Sequence, residues 1–152
     1  MSIRLQEAAF DPGGETNAFL EDADAAGAAV TFTGLVRSLP DDPVRTLTLE
    51  CYEDLARNQV ARMVSEATSR FGLIKVTVIH RYGTLQPGEP IVQVMTLAPH
   101  REAAFRGAEF LMDYLKTDAP FWKKEATPVG GERWVEATQG DDSARQRWND
   151  DD

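Results

Sequence analysis

Two stretches of helical periodicity, residues 53–71 and 100–117, constrain the fold of this chain more than any other feature. In both stretches apolar residues recur at spacings of three and four, which places them along one face of a helix. The stripe of the first consists of Ala56, Val60, Met63, Val64, Ala67 and Phe71, and that of the second of Ala104, Ala108, Leu111 and Leu115. Each stripe needs a second apolar surface to cover it, and the segments around the helices must supply that surface.

These surrounding segments are rich in β-favouring residues, and several alternate with a period of two, which predicts strands at 28–37, 44–52, 75–82 and 91–97. A hairpin is predicted from 121–126 and 133–137, an edge strand within 1–9 and a short helix at 16–23. Gly34 interrupts the strand at 28–37, which indicates a bulge or a close backbone approach. Paired strands mixed with single helices indicate an α+β fold, not a doubly wound sheet.

The length of 152 residues suits a single domain, which we expect to span 1–140 and to be followed by an acidic tail at 141–152. In that tail we expect only Trp148 to be held firmly. A composition of 42% hydrophobic and 27% charged residues is that of a folded globular protein. No apolar run approaches the roughly 20 residues that cross a bilayer, and the N-terminus lacks the layout of a secretory signal, so we expect a cytoplasmic protein.

The charge balance and the residue counts exclude several classes of function. A net charge of −9 with no basic tract makes duplex nucleic acid a poor partner, because such binding depends on neutralised phosphates. One Cys and two His residues leave too few ligands for the usual zinc sites. We therefore expect no metal. Phosphate-loop and dinucleotide-binding glycine motifs are absent from the sequence, so an anion site here must be a small local cluster of cations.

Candidate cations lie at the ends of predicted elements. His100 and Arg101 begin the second long helix, where free backbone N–H groups and the helix dipole favour an anion. Arg37 ends a strand beside a flexible loop and either reaches an anion or caps the edge of the sheet. A solvated helix start is the simpler interpretation of His100 and Arg101, and for the His80-Arg81 pair we favour a structural role.

A second group of cations follows the helix end. Lys116 lies in the last turn, and Lys123 and Lys124 follow after a kinked connection. On a strand the two later lysines point to opposite faces, so only one can join Lys116 in a pocket. Two lysines brought together lower the pKa of one of them, and Glu125 shares a strand face with Lys123 and could orient it. The alternative is an ordinary solvated run of charges.

Five strings are more specific than these patterns. They are VTFTGLVR at 30–37, VTVIHR at 76–81, APHREAAF at 98–105, MDYLKTDAPFWKKEAT at 112–127 and RWV at 133–135. In this order and spacing the chain resembles the large, catalytic subunits of molybdopterin synthase, the MoaE family, over roughly 28–148. The segment from Lys116 to Lys123 is the most specific part of the resemblance.

The resemblance implies an α/β-hammerhead-type core with an additional antiparallel β part. It implies transfer of two sulfurs to cyclic pyranopterin monophosphate, which forms the dithiolene of molybdopterin. The sulfur donor would be a small ubiquitin-like partner whose C-terminal Gly-Gly carries a thiocarboxylate. The large subunits would pair as a homodimer, and each would bind one small subunit to give a heterotetramer. The chemistry implied needs neither metal nor cofactor.

The resemblance also implies which residues form the site. Lys116 would lie beside the thiocarboxylate and Lys123 would be the second catalytic lysine. The substrate-binding residues would be Leu35, Val36, Arg37, His100, Arg101, Lys116, Lys123, Lys124 and Glu125, with Phe32 and Met112 as possible walls of a pterin pocket. His100 and Arg101 would come from the neighbouring large subunit. Leu35 stands where some relatives have a basic residue, which removes one peripheral anion contact.

Two other functions remain open at this point. The chain could be a non-catalytic module that captures the Gly-Gly tail of a ubiquitin-like protein, although tail binding alone would not require both Lys116 and Lys123. It could also be an unrelated anion-binding enzyme, which would act without a ubiquitin-like partner.

Overall fold

The computed structural model describes residues 1–135 and 139–150, excepting the side chains of Gln139 and Asp150. In this part of the chain the elements are β1 Ser2–Gln6, α1 Pro12–Phe19, β2 Ala28–Leu35, β3 Thr46–Cys51, α2 Glu53–Phe71, β4 Lys75–Arg81, β5 Gly83–Leu85, β6 Pro90–Ala98, α3 Arg101–Thr117, β7 Phe121–Ala126, β8 Glu132–Val135 and α4 Gln139–Asp150. The predicted strand residues 136–137 and the predicted tail residues 151–152 lie outside the described residues.

The first sheet has the strand order β1-β4-β6-β2 and lies at the centre of the molecule. β1 pairs with β4 in parallel, and the other two pairings are antiparallel. One face packs against α2 and α3 and forms the larger core, because both helices turn their predicted apolar stripes towards it. The other face packs against α1 through Phe19, Ile79, Met95 and Leu97.

The second sheet is antiparallel, with the order β5-β3-β7-β8. The chain passes from the first sheet to the second around Tyr82, between the end of β4 and Gly83. Gly83 has a φ of 90°, a conformation that suits glycine and lets the chain turn into the other sheet. The predicted strand at 75–82 is confirmed as β4 to within one residue, but the turn and the short strand β5 that follow it were not predicted. The mixture of two sheets with helices confirms the predicted α+β fold.

The boundaries of the long helices agree with the sequence pattern, whereas those of the short helix do not. α2 occupies the predicted range and α3 begins one residue after the predicted start, with His100 as its N-cap. α1 spans Pro12–Phe19 where 16–23 was predicted. Proline is favoured in the first turn of a helix, and this signal outweighs the weak periodicity further along.

The predicted loose tail is also wrong, because its described residues form α4, whereas the expectation that Trp148 is held firmly is confirmed. Trp148 is buried at 4% exposure and meets the rings of Phe71 and Phe110 edge to face. Its Nε1–H donates to Asp113 Oδ2 at 2.7 Å, and Arg147 contacts the same carboxylate at 2.8 Å. A single aromatic anchor and its neighbouring ion pair thus hold this polar helix against α3. None of the helices in the described chain is long and apolar enough to cross a membrane.

Candidate active site

A cavity of about 560 Å³ lies where the two sheets meet. Its walls come from the end of β2 and the segment after it, the end of α3, the connection to β7, and β7 itself. The lining residues are Phe32, Thr33, Gly34, Leu35, Val36, Arg37, Val44, Leu47, Ile91, Leu115, Lys116, Thr117, Ala119, Phe121, Lys123, Glu125, Val135 and Asp141.

The bulge predicted at Gly34 shapes the first wall. The pairing of β2 with β6 shifts register between Gly34 and Leu35. A Cβ atom at Gly34 would lie only 2.6 Å from Cγ1 of Val92, so only glycine allows the two strands to approach this closely. The register shift re-aims the residues that follow, as bulges commonly do beside functional sites.

Backbone hydrogen bonds then fix the segment that carries Arg37. The N–H of Val36 donates to the carbonyl oxygen of Glu89 at 3.0 Å, and the carbonyl oxygen of Val36 accepts from the N–H of Gly88 at 2.8 Å. The Val36 side chain is buried, whereas Arg37 is exposed at the cavity. The backbone just before Arg37 is therefore fixed, and the long, flexible side chain of Arg37 can bring its guanidinium to a ligand in the cavity.

The second wall is the end of α3. Lys116 is exposed in the last turn of this helix and lines the cavity. The N–H groups of Asp118 and Ala119 both donate to the carbonyl oxygen of Tyr114, at 2.9 and 3.2 Å. This tight ending turns the chain so that β7 begins at Phe121 and returns Lys123 to the same cavity as Lys116.

Alternation along β7 separates the two adjacent lysines, as the strand period predicts. Lys123 lines the cavity. Lys124 lies on the opposite face, with its Nζ 3.5 Å from a carboxylate oxygen of Glu132 and 5.2 Å from the ring centroid of Trp134. The structure therefore brings Lys123 to Lys116 and leaves Lys124 outside.

Glu125 lines the cavity, but its carboxylate is bound by Arg133 and not by Lys123. The NH2 group of Arg133 lies 2.7 Å from Oε2 of Glu125 and 2.9 Å from Oδ1 of Asp42. This ion pair offsets the negative charge of Glu125 within the wall, so the lysines keep their positive charge available to a ligand.

The environment of Lys123 lowers its pKa from 10.5 to about 8. Burial is the largest cause, because the ammonium loses hydration, and the charge of Lys116 lowers the pKa further. Asp141, from α4, opposes both effects. A fraction of Lys123 is therefore a neutral amine near pH 8, a form that can accept a proton.

His100 and Arg101 lie at the opposite end of α3 from Lys116. At about 1.5 Å per residue the helix separates Arg101 from Lys116 by about 22 Å. Neither residue lines the cavity of the same chain.

The expected apolar wall is divided between two cavities. Phe32 lines the large one and also a smaller cavity of about 50 Å³, and Met112 lines the smaller one. Lys116 and Lys123 contribute to both cavities, so the smaller space is a side pocket beneath the two lysines.

Two ionisable residues in these walls were not predicted as site residues from the sequence. His80 lines the small cavity and was assigned a structural role only. Its alternation with Val76 and Val78 on β4 places it on the face towards α3, and that signal could have found it. Asp141 was assigned to a loose tail, and the period-four spacing of Ala144 and Trp148 was the available signal for its helix.

Arg37, Lys116 and Lys123 thus converge on one open cavity and can hold a small anion together. Residues 1–135 and 139–150 contain no group of three or more His, Cys, Asp or Glu side chains placed to hold a metal ion.

The sequence of the chain is similar to those of proteins in one known family. The family model described as MoaE protein matches residues 5–118. The molybdopterin synthase catalytic subunit of Cereibacter sphaeroides is 47% identical over 148 residues, which cover 97% of this chain and 100% of that protein.

Solved structures share the fold. The molybdopterin biosynthesis MoaE protein from Burkholderia ambifaria is 44% identical, with a TM-score of 0.81 and coverage of 97% of each chain. A protein-protein complex of subunits 1 and 2 of molybdopterin-converting factor from Helicobacter pylori contains a chain with a TM-score of 0.72, at 21% identity and 90% coverage of each chain, which is a likeness of fold.

Proposed function

Since the chain belongs to the MoaE family and functions as a catalytic subunit of molybdopterin synthase, we propose that it does so as a sulfurtransferase. It takes sulfur from the C-terminal thiocarboxylate of a small ubiquitin-like partner and transfers it to cyclic pyranopterin monophosphate. The product is the dithiolene of molybdopterin.

The convergence of Arg37, Lys116 and Lys123 on one cavity carries this proposal. The substrate phosphate and the thiocarboxylate are both anions, so a reaction between them needs local positive charge that offsets their repulsion. Although the chain is acidic overall, with a net charge of −9, this cavity holds three cations against two carboxylates, those of Glu125 and Asp141. The cavity is open, so a flexible tail can enter it.

The positions of the three cations support a different role for each in the proposed reaction. Lys116, exposed at the helix end, stabilises the charge that develops when the sulfur attacks. Lys123, whose pKa is about 8, positions the substrate and exchanges a proton with it. Arg37 binds the phosphate, because its planar guanidinium makes paired hydrogen bonds to phosphate oxygens.

The positions of His100 and Arg101 support a second copy of the chain in the assembly. They are too far from Lys116 to reach its ligand within one chain. In a homodimer they complete the site of the neighbouring copy, and with one small partner per copy the assembly is a heterotetramer. The complex formed by the Helicobacter pylori proteins supports the small partner.

The test is molybdopterin formation from cyclic pyranopterin monophosphate and thiocarboxylated small subunit. We expect Lys116→Ala to lower the rate by at least about 100-fold, because it removes charge stabilisation at the reacting centre. Lys124→Ala is the matched comparison, since it removes the same charge from the opposite face of β7. We expect its effect to stay below about threefold.

The outcomes separate the possible functions. Equal losses in both variants would contradict the assignment of the site to the cavity face of β7. Product from both variants at the wild-type rate would keep the function and move the catalytic role away from Lys116. A folded wild-type chain that binds the partner but forms no product would be a tail-binding module.

A further inference from the structure

His80 occupies the junction between the two sheets. It pairs with Leu5 and Val92 in the first sheet and is only 4% exposed. Its ring stacks on Phe121, the first residue of β7, with centroids 4.0 Å apart and planes 10° from parallel. Because Lys123 follows Phe121 by two residues, the imidazole lies beneath the same strand face that carries this lysine.

The hydrogen bonding of His80 fixes its tautomer. Nδ1 lies 2.9 Å from the carbonyl oxygen of Arg81. A carbonyl oxygen can only accept, so Nδ1 carries the proton and Nε2 of the neutral ring has a free lone pair. Burial, and to a smaller extent the charges of Lys123 and Lys116, lower the pKa of His80 to about 4, which keeps the ring neutral near pH 7.

The ring borders the small cavity of about 50 Å³, where Lys116 and Lys123 are the other polar side chains among the described lining residues. A space of this size can hold at least one water molecule, provided that two to four polar partners surround it. The cavity offers one neutral acceptor and two donors, which together meet that requirement.

We propose that this small cavity is a water site and that His80 is its positioning residue. One water donates a hydrogen bond to Nε2 of His80 and accepts hydrogen bonds from the side chains of Lys116 and Lys123. The water thereby fixes the two lysines relative to each other beneath the anion cavity. Its effect on the reaction rests on the proposed function, whereas its presence does not.

A neutral acceptor suits this position better than the alternatives. A carboxylate here would pair with the lysines and cancel the charge that an anionic substrate needs. An apolar side chain would leave the described wall of the small cavity with two ammonium groups and no side-chain acceptor for a water molecule. A neutral imidazole with Nδ1 protonated offers the water an acceptor at Nε2 and leaves the positive charges of Lys116 and Lys123 available to the substrate.

The first test needs no variant at His80. Long-range proton–nitrogen correlation spectra of the whole chain at pH 7 report the protonation of each imidazole nitrogen, and His100→Gln assigns the two histidines. We expect His80 with Nδ1 protonated and Nε2 bare. A ring protonated at Nε2 would overturn the proposal, because it could not accept the hydrogen bond.

The second test uses two side chains that mimic different halves of imidazole. In His80→Asn the amide replaces the Nδ1 side, and in His80→Gln it reaches the position of Nε2. Crystal structures of the wild type and of both variants should show the water in the wild type and in His80→Gln, and no water in His80→Asn. A dry wild-type cavity at high resolution would overturn the proposal.

The rate of product formation gives a separate readout. We expect His80→Asn to lower kcat by about tenfold with little change in KM, because the bound substrate meets misplaced lysines. His80→Gln should stay within about threefold. Equal kcat values in two variants that fold, as judged by circular dichroism, would indicate that His80 acts only through packing. The water and tautomer measurements remain informative even if the reaction differs from the one proposed.

Discussion

Lys123 lowers the stability of the folded chain at neutral pH because its ammonium is taken out of water beside a like charge. Its pKa falls from 10.5 to about 8 on folding. Between these two values the unfolded chain binds more protons than the folded chain, so stability rises with pH across that window. Below about pH 8 the full cost of the buried charge is present.

Replacing this charge should therefore stabilise the protein while impairing its activity. We expect Lys123→Met to raise the free energy of unfolding at pH 7 by about 1–2 kcal/mol, a value reduced by the partial solvation of the site. The gain should shrink as the pH approaches 10.5. Urea unfolding at pH 7 and pH 9.5 measures both effects.

Lys124→Met is the control for this prediction. Its ammonium contacts Glu132 and Trp134 on the exposed face, so its removal should change stability by about 0.5 kcal/mol or less. An equal gain from both substitutions would reflect the overall charge of the chain and would contradict the argument from burial.

Residue positions could be predicted from the sequence wherever strand parity applied. Parity alone predicts that Lys123 and Lys124 lie on opposite faces of β7. It could not show that Glu125 pairs with Arg133, because that contact depends on the pairing of β7 with β8. Alternation along β4 predicts the inward orientation of His80, but its stacking on Phe121 depends on how the two sheets meet, which alternation does not encode.

The close approach of β2 and β6 at Gly34 gives a prediction for a whole element. Gly34→Ala places a Cβ atom 2.6 Å from Val92, so the strands must separate at the bulge that shapes the cavity. We expect a loss of about 1–3 kcal/mol in the free energy of unfolding. Activity should fall as well, since Arg37 follows this bulge.

Gly13→Ala serves as the matched control. A Cβ atom there meets only Oδ1 of Asp11, at an ordinary 3.7 Å, and the position lies within α1. Alanine favours helix, so this variant should be neutral or slightly more stable. Comparable losses at the two glycines, measured by urea unfolding, would rule out the steric explanation for Gly34.

The attachment of α4 depends on one aromatic residue. Trp148→Ala removes the ring that packs against Phe71 and Phe110, and we expect a loss of about 3 kcal/mol. Trp148→Phe keeps a ring but loses the hydrogen bond to Asp113, and we expect this to lower the free energy of unfolding by about 1 kcal/mol. Circular dichroism is the suitable measurement, because removing an indole alters fluorescence directly. A smaller loss in the alanine variant than in the phenylalanine variant would contradict this account.

Elements with strong periodicity were predictable, and those held by tertiary contacts were not. α2 and α3 carry apolar stripes long enough to fix their bounds within a residue. β5 has three residues and is defined only by its pairing with β3. α4 is polar along most of its length, so its sequence resembles a solvated tail until Trp148 finds its contacts on α3.

At the scale of the assembly, the separation of Arg101 from Lys116 leads to a complementation test. In the homodimer proposed above, we expect Arg101→Ala and Lys116→Ala each to be inactive on its own. Mixing the two chains by unfolding and refolding should restore about a quarter of the wild-type activity, because about half of randomly paired dimers are mixed and each mixed dimer has one complete site. If both residues acted within one chain, the mixture would stay inactive.

The cavity is lined by residues that lie far apart in the sequence. Its lining residues run from Phe32 to Asp141, and β1 at the very start of the chain pairs in parallel with β4. Contacts of such long sequence separation require costly loop closure and form slowly. The cavity is therefore complete only when β7 and α4, late in the described chain, have joined the walls formed by β2 and α3. A chain that stops before β7 would lack Lys123 and Glu125 and could not form this cavity, even if its core helices folded.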